Sequence, residues 1–173
     1  ATLAPLLLMA LAALLPLAGR AVPWGLFRAL CGLALVATLL AAGLRAAGGA
    51  DGATLPPGLA ASVPGAWMAL LVQLLGTVIG VFSSRYLEGE PGQRRFVAAF
   101  AAVLAAVQVL LLADHWGVLI GAWAAVGIAL QRLLCFYPDR PFALLAAHKK
   151  RLADRLADGL LLVAAGCAWA EVG

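Results

Sequence analysis

The feature that most constrains this chain is a series of apolar runs, each about 20 residues long, separated by short polar or Gly/Pro-containing connections. A helix of about 20 apolar residues crosses the hydrocarbon core of a bilayer. The runs lack the alternation of apolar and polar residues typical of β-barrel strands. The sequence therefore predicts an all-α integral membrane protein with about six transmembrane helices. The predicted spans are 2–19, 24–47, 65–84, 96–114, 116–137 and 142–170.

Composition excludes a soluble domain. The chain is 65% apolar and only 12% charged, with a mean hydropathy of +1.03, whereas soluble proteins average about 45–50% apolar and about 25% charged residues. We find no internal repeat and no linker, so residues 1–173 are predicted to form a single transmembrane helical domain, which could be one part of a longer subunit.

The net charge of +4 would suggest nucleic acid as the partner of a soluble protein. Here the basic residues lie at the ends of apolar runs, where they act as topology signals, so no nucleic-acid partner is expected. All of the 12 lysines and arginines except Arg45 lie in or nearest to the first, third and fifth connections. These connections are therefore predicted to be cytoplasmic. The Gly/Pro-rich connection 48–65 is predicted to be a flexible or re-entrant outer loop.

The segment "HKKRLADRLAD" (148–158) is unusual because it carries charge into an apolar span. On a helix its polar residues form a stripe, in which charges four residues apart can neutralise each other. One interpretation is that they are ordinary flanking charges at the cytoplasmic end of a helix. The other is an ion-pathway or intersubunit role, since an unpaired charge deep in a membrane costs roughly 2.5–3.5 kcal/mol. The candidate residues are His148, Lys149, Lys150, Asp154, Arg155 and Asp158.

Four further polar residues are secondary candidates. Asp114 and His115 are adjacent at the outer end of the fourth span, where they could relay protons or simply form a polar turn, and the turn is favoured. Gln131 and Arg132 lie near the end of the fifth span. Arg132 could snorkel to the interface there.

Small residues and buried amides predict where helices pack closely. "GTVIG" (76–80) and "GVLIG" (117–121) have the small-xxx-small pattern, and Gly127 adds another small residue. Gln73 and Gln108 are midspan amides, which are expected to form hydrogen bonds between helices.

No known catalytic motif occurs in the chain. There is no phosphate-binding loop, nucleophile elbow or zinc-ligand spacing, and the three cysteines are scattered. We therefore expect no metal and no cofactor in this chain, and we expect that it is not an enzyme by itself.

From residue 85 to about 165 the sequence resembles the large proton-translocating antenna subunits of respiratory complex I and of Mrp-type antiporters. The resemblance rests on "SRYLEGEPGQRRF" (84–96), "VLLLADHWGVLIGAW" (109–123) and the charged stretch 148–158. It implies the fold of the N-terminal part of such a subunit. It also aligns Lys149, Arg155 and Asp158 with charged residues of the family.

The chain departs from the family at Ala124. The resemblance implies a glutamate here that takes part in proton transfer, and alanine cannot carry a proton.

The stretch "LQRLLCFYPDRPFALLAAHKKRLADRLAD" (130–158) is most similar to one branch of that family, the membrane subunits of the DAB inorganic-carbon accumulation complex. This implies a bacterial inner-membrane subunit that conducts H⁺ or Na⁺. It also implies a partner, a large zinc-containing subunit of the DabA type that resembles β-type carbonic anhydrases and hydrates CO2 in one direction. Zinc is then expected in the partner.

Two alternatives remain open. The chain could be a proton-translocating antenna subunit of complex I, of a membrane hydrogenase or of an Mrp-type cation/proton antiporter. It could also be a structural membrane anchor, whose charged stripe docks a cytoplasmic partner.

Overall fold

A computed structural model describes residues 2–18, 24–48, 55–90, 92–136 and 141–172. Six helices follow one another along the chain, which confirms the predicted all-α class. Each begins and ends within a few residues of a predicted span. They are α1 (Ala4–Ala18), α2 (Trp24–Ala46), α3 (Val63–Tyr86), α4 (Gln93–Leu112), α5 (Trp116–Leu134) and α6 (Pro141–Val172).

Four of these helices, α2 to α5, are long and apolar enough to cross a membrane. The apolar part of α1 is shorter, at Ala4–Leu14. α6 has 32 residues and carries the charged stretch in its first half. The chain is therefore a multi-pass membrane protein, and the grouping of all six helices into one membrane domain stays a prediction.

The starts of α2 and α4 and the end of α5 lie at the same end of the molecule. Trp24 Nε1 donates a hydrogen bond to Gln93 Oε1 at 3.0 Å. A Cβ atom added at Gly92 would lie 3.3 Å from the ring of Phe136. We call this the inner end, because it corresponds to the predicted cytoplasmic side. The connections 19–23 and 137–140, with Arg20 and Arg140, lie outside the described residues.

The outer end is closed by the segment that precedes α3. Residues 58–60 pair with residues 112–114 through an antiparallel bridge and through backbone hydrogen bonds of 2.8 and 2.9 Å. The guanidinium of Arg45 also donates to the carbonyl of Ala61. The described part of the predicted flexible loop is thus fixed by hydrogen bonds. Residues 49–54 lie outside the described residues.

The best-packed part of the molecule lies among α1, α2, α3 and α4. Phe27 and Phe100 meet edge to face there, with ring centroids 6.4 Å apart, and Met9 and Val97 are fully buried. Aromatic pairs of this geometry contribute beyond the area that they bury.

Glycines of α3 allow this close packing. A Cβ added at Gly76 would lie 2.6 Å from Leu104 Cδ2, and one at Gly80 would lie 3.3 Å from Phe27 Cε1. The predicted close approach at "GTVIG" is confirmed. In "GVLIG" the prediction of close helix packing is wrong for Gly121. This residue is exposed, and a Cβ added there would lie within 4 Å of no atom of another helix.

Candidate functional site

An open cleft of about 620 Å³ lies between α5 and α6. It brings together most of the charged and polar residues predicted from the sequence. The predicted candidates that line it are Gln131, Arg132, Lys150, Asp154, Arg155 and Asp158, and Arg151, predicted only as a flanking charge, lines it as well. Trp123, Ala124 and Gly127 of α5 form much of the opposite wall.

The spacing of residues on α6 decides which charges face the cleft interior. The less exposed residues of this helix recur every three or four positions, as expected for one face of an α-helix. They include Ala147, Lys150, Asp154, Asp158 and Leu161. Three charged residues therefore lie on the face that turns toward the rest of the molecule.

Lys150 and Asp154 form an ion pair on this face. Lys150 Nζ donates a hydrogen bond to Asp154 Oδ2 and lies 3.5 Å from the carbonyl oxygen of Gly127 on α5. The side chains of Lys150 and Asp154 retain 21% and 34% exposure. The predicted pairing four residues apart is confirmed, and the pair is partly desolvated, so its charges are less screened than those of a surface pair.

Gly127 lies where this pair meets α5. A Cβ added there would lie 3.4 Å from Asp154 Oδ2. A Cβ would thus be in van der Waals contact with the carboxylate, and a longer side chain there would meet the ion pair. The sequence predicted Gly127 as a packing position, and its neighbour across the interface is a carboxylate.

The depth of the pair follows from its position along α5. Gly127 lies seven residues before Leu134, the last residue of α5. At a rise of 1.5 Å per residue, Gly127 is roughly 10 Å from the inner end of α5. Asp158 lies one further turn along α6, in the direction of the outer end. If α5 spans the membrane, Lys150 and Asp154 are well inside it and Asp158 is near its middle.

The remaining charges of the cleft are not paired with one another. Among the described residues, no ion pair involves Arg132, Arg151, Arg155 or Asp158. Arg151 and Arg155 are exposed, whereas Asp158 is half-buried. The neutralisation expected along the stripe is thus present at Lys150 and Asp154.

His148 and Lys149 lie at the beginning of the charged stretch and are exposed. Neither lines the cleft. Their position fits the flanking interpretation. The structure therefore divides the predicted set into an exposed first part and a deeper part that faces α5.

Asp114 and His115 lie at the outer end, away from the cleft. His115 caps the start of α5, since its Nδ1 accepts a hydrogen bond from the backbone N–H of Gly117 at 3.0 Å. The backbone N–H of Asp114 donates to the carbonyl of Gly58. Both side chains are exposed, which agrees with the polar-turn interpretation.

The sequence identifies Gln73 and Gln108 as midspan amides but does not indicate that they are close to each other. In the structure they are buried together between α3 and α4, with 0% and 2% exposure. Gln108 Nε2 donates to Gln73 Oε1 at 3.5 Å, and Gln73 Nε2 lies 3.7 Å from Met9 Sδ. The prediction of a hydrogen bond between helices is confirmed. Nothing in the sequence indicates that these two residues are partners.

A metal centre is not formed by the described part of the chain. Within those ranges, no group of three or more His, Cys, Asp or Glu side chains is placed to hold a metal ion.

The family model that matches this chain is described as NADH-ubiquinone oxidoreductase (complex I), chain 5 N-terminus. It matches residues 51–97. This range contains α3, the beginning of α4 and the connection between them.

Individual relatives extend the similarity to more than half of the chain. A probable inorganic carbon transporter subunit DabB2 of Halothiobacillus neapolitanus is 40% identical over 97 residues, which are 56% of this chain and 18% of the relative. A probable inorganic carbon transporter subunit DabB of Hydrogenovibrio crunogenus is 33% identical over 111 residues, or 58% of this chain and 21% of the relative.

NADH-quinone oxidoreductase subunit L of Escherichia coli is 32% identical over 106 residues, or 61% of this chain and 17% of that protein. The matched stretch thus spans about a fifth of the length of these curated relatives. The resemblance inferred from the sequence is confirmed.

Proposed function

We propose that this chain, a relative of inorganic carbon transporter subunits and of complex I chain 5, is a membrane subunit of an energy-coupled inorganic-carbon uptake complex. In this function it conducts H⁺ or Na⁺ through the bacterial inner membrane. The ion movement drives one-way hydration of CO2 by a zinc-containing, carbonic-anhydrase-like partner subunit. Zinc chemistry belongs to that partner.

The observation that carries this proposal is the ion pair of Lys150 and Asp154 against Gly127, inside the cleft and away from the inner end of α5. Flanking charges are expected at a helix end, where they reach water. Charges at greater depth are costly, and they usually mark ion pathways or proton relays. The depth and partial burial of this pair favour a pathway.

The chemistry of the pair suits the transfer of a cation. A proton that binds Asp154 neutralises its carboxylate and releases the ammonium group of Lys150. The loss of the proton restores the ion pair. Na⁺ could compete with Lys150 for the same carboxylate oxygens, since hard cations prefer oxygen ligands.

Asp158 and Arg155 are proposed to continue the pathway beyond Lys150 and Asp154. Asp158 lies one helical turn further from the inner end, and both residues line the cleft. Ala124 lines the same cleft from α5. If this position has lost a carboxylate, the acidic groups left to carry protons here are those of α6.

His148 and Lys149 are proposed to act in coupling on the inner-end side of the ion pair, because both are exposed and precede the pair along α6. Gln131 and Arg132, which line the cleft near the same end, are secondary candidates.

Similarity supports the choice of inorganic carbon as the substrate. The two relatives named as carbon transporter subunits are 40% and 33% identical, compared with 32% for subunit L of Escherichia coli. This difference favours the carbon-uptake branch.

Affinity purification from native membranes, combined with uptake assays, tests the proposal. We expect a zinc-containing, carbonic-anhydrase-like protein to co-purify, and we expect cellular accumulation of inorganic carbon to collapse when an ionophore dissipates the ion gradient. Co-purification of quinone-linked dehydrogenase subunits without such a zinc protein would contradict it.

The second candidate is an antenna subunit of complex I, of a membrane hydrogenase or of an Mrp-type antiporter. The match of residues 51–97 to the complex I chain 5 model favours it. Vesicles containing the purified complex discriminate between the two functions. Exchange of Na⁺ for H⁺ that does not depend on CO2 is expected only for the second candidate.

A further inference from the structure

A small cavity lies at the outer end of the α1–α4 bundle, remote from the α5–α6 cleft. It has a volume of about 20 Å³, is partly open, and is lined by Thr2, by residues of all four helices and by Ala61. A buried water needs roughly 10–15 Å³. The cavity therefore has room for one water molecule.

Three polar residues, Thr2, Thr38 and Gln108, line this otherwise mostly apolar cavity. Thr38 on α2 and Gln108 on α4 are each 2% exposed. Buried polar side chains of this kind need hydrogen-bond partners, and a buried water often supplies them.

The hydrogen bonds of Thr38 leave its oxygen able to accept. Its hydroxyl donates to carbonyls of its own helix, at 3.1 Å to Ala34 and 2.8 Å to Leu35. A hydroxyl oxygen has two acceptor lone pairs in addition to its single proton.

Gln108 likewise has hydrogen-bonding capacity beyond its contact with Gln73. Its Nε2 donates one long hydrogen bond, of 3.5 Å, to Gln73 Oε1, and an amide NH₂ group carries two protons.

We infer that this cavity binds one water molecule, which bridges the hydroxyl of Thr38 and the side-chain amide of Gln108. The water accepts from or donates to the amide and donates to Thr38 Oγ1. It thereby extends the pair of Gln108 and Gln73 into a polar chain that joins α2, α4 and α3. This site is independent of the proposed transport function.

A double-mutant cycle tests the bridge, because no direct hydrogen bond joins the two residues. Thr38→Val and Gln108→Leu are made singly and together, and the Tm of the purified membrane protein is measured. If the water couples them, the Tm loss of the double variant is smaller than the sum of the single losses by about 2–4 °C. If the Tm losses of the two single variants are additive in the double variant, the inference is overturned.

Ser84→Ala provides the matched control. Ser84 is also buried, and its hydroxyl also donates to its own helix, at 2.7 Å to Val81 O, but it does not line the cavity. Its Tm loss should add to that of Gln108→Leu. Coupling of the same size at Ser84 would overturn the inference, since the cycle would then report a general effect.

An experimental density map of the unmodified protein keeps the inference testable if a variant fails to fold. We expect a water peak within hydrogen-bond distance of both Thr38 Oγ1 and the amide of Gln108. A map that resolves both side chains and shows no such peak would overturn it.

Discussion

In the α1–α4 bundle the fully buried polar side chains are neutral amides and hydroxyls, whereas in the α5–α6 pair partly buried charged side chains line an open cleft. Gln73 and Gln108 are almost completely buried and bond to each other. Lys150 and Asp154 are only partly buried, although they also pair. Neutral groups can be buried with one partner each, but charges in the membrane need a wet or occupied space.

This contrast assigns different roles to the two regions. The tight bundle supplies a rigid support, since its glycines and aromatic rings interlock. The cleft is less tightly filled, and it holds the groups that can gain or lose a proton. Variants that disturb packing should therefore reduce stability in the first region and transport in the second.

The largest effect is expected from Gly127→Leu in the cleft wall. The new side chain would grow toward Asp154 Oδ2, which is 3.4 Å from the Cβ position, and would displace the ion pair. We expect ion-driven uptake of inorganic carbon to fall on the order of tenfold or more, as for loss of a positioned proton-transfer group. Uptake in whole cells measures this.

Gly121→Leu is the control on the same helix, because nothing lies within 4 Å of its Cβ position. Native gels should show both variants in the assembled complex. Equal losses of uptake in the two variants would mean that the cleft has no special role.

A stability effect is expected from Gly76→Val in the bundle. Its Cβ would lie 2.6 Å from Leu104 Cδ2, and overpacking of this kind costs about 1–3 kcal/mol. Thermal unfolding in detergent should show a lower Tm. Gly43→Val, where no atom lies within 4 Å, should change the Tm much less, and an equal decrease would argue against tight packing at Gly76.

The outer loop links the two regions, and Gly58→Ala tests that link. Gly58 has a φ of +87°, and its Cβ would lie 3.0 Å from Val118 on α5. A side chain in this conformation costs about 1–2 kcal/mol. Gly89→Ala shares the positive φ, at +88°, but has open space around it.

Thermal unfolding of both variants separates the two contributions. We expect Gly58→Ala to lower the Tm more than Gly89→Ala does, because only the former also meets Val118. Identical Tm values would show that contact with α5 adds nothing.

The smallest effect is expected from His115→Ala. It removes the side chain that caps α5, and loss of a cap costs about 0.5–2 kcal/mol. The Tm should fall slightly while uptake stays near normal. A large loss of uptake with an unchanged Tm would favour the proton-relay interpretation of Asp114 and His115.

The helical architecture could be predicted from the sequence because long apolar runs leave few alternatives in a membrane. Turn residues marked where these runs end, so the helices begin and end close to the predicted spans. The pairing of Lys150 with Asp154 was also predictable, since it depends only on a spacing of four residues along one helix.

Contacts between helices could not be predicted in the same way. Nothing in the local sequence pairs Gln73 with Gln108, which are 35 residues apart. The small-xxx-small pattern identified the close contact at Gly76, yet it failed at Gly121, because glycine is frequent in apolar helices for more than one reason. The position of Gly127 beside Asp154 required the packing of α5 on α6.

The most direct test of the central claim is uptake of inorganic carbon by cells that carry Asp154→Asn, compared with Glu90→Gln, with native gels beside both. Glu90 is exposed and does not line the cleft, so Glu90→Gln makes the same chemical change outside it. Asparagine keeps the size of the side chain but removes the ionisable group. We predict that Asp154→Asn loses uptake on the order of tenfold or more, while the complex stays assembled and Glu90→Gln remains near normal. Normal uptake in Asp154→Asn, or loss of the assembled complex with it, would contradict an ion pathway through the cleft.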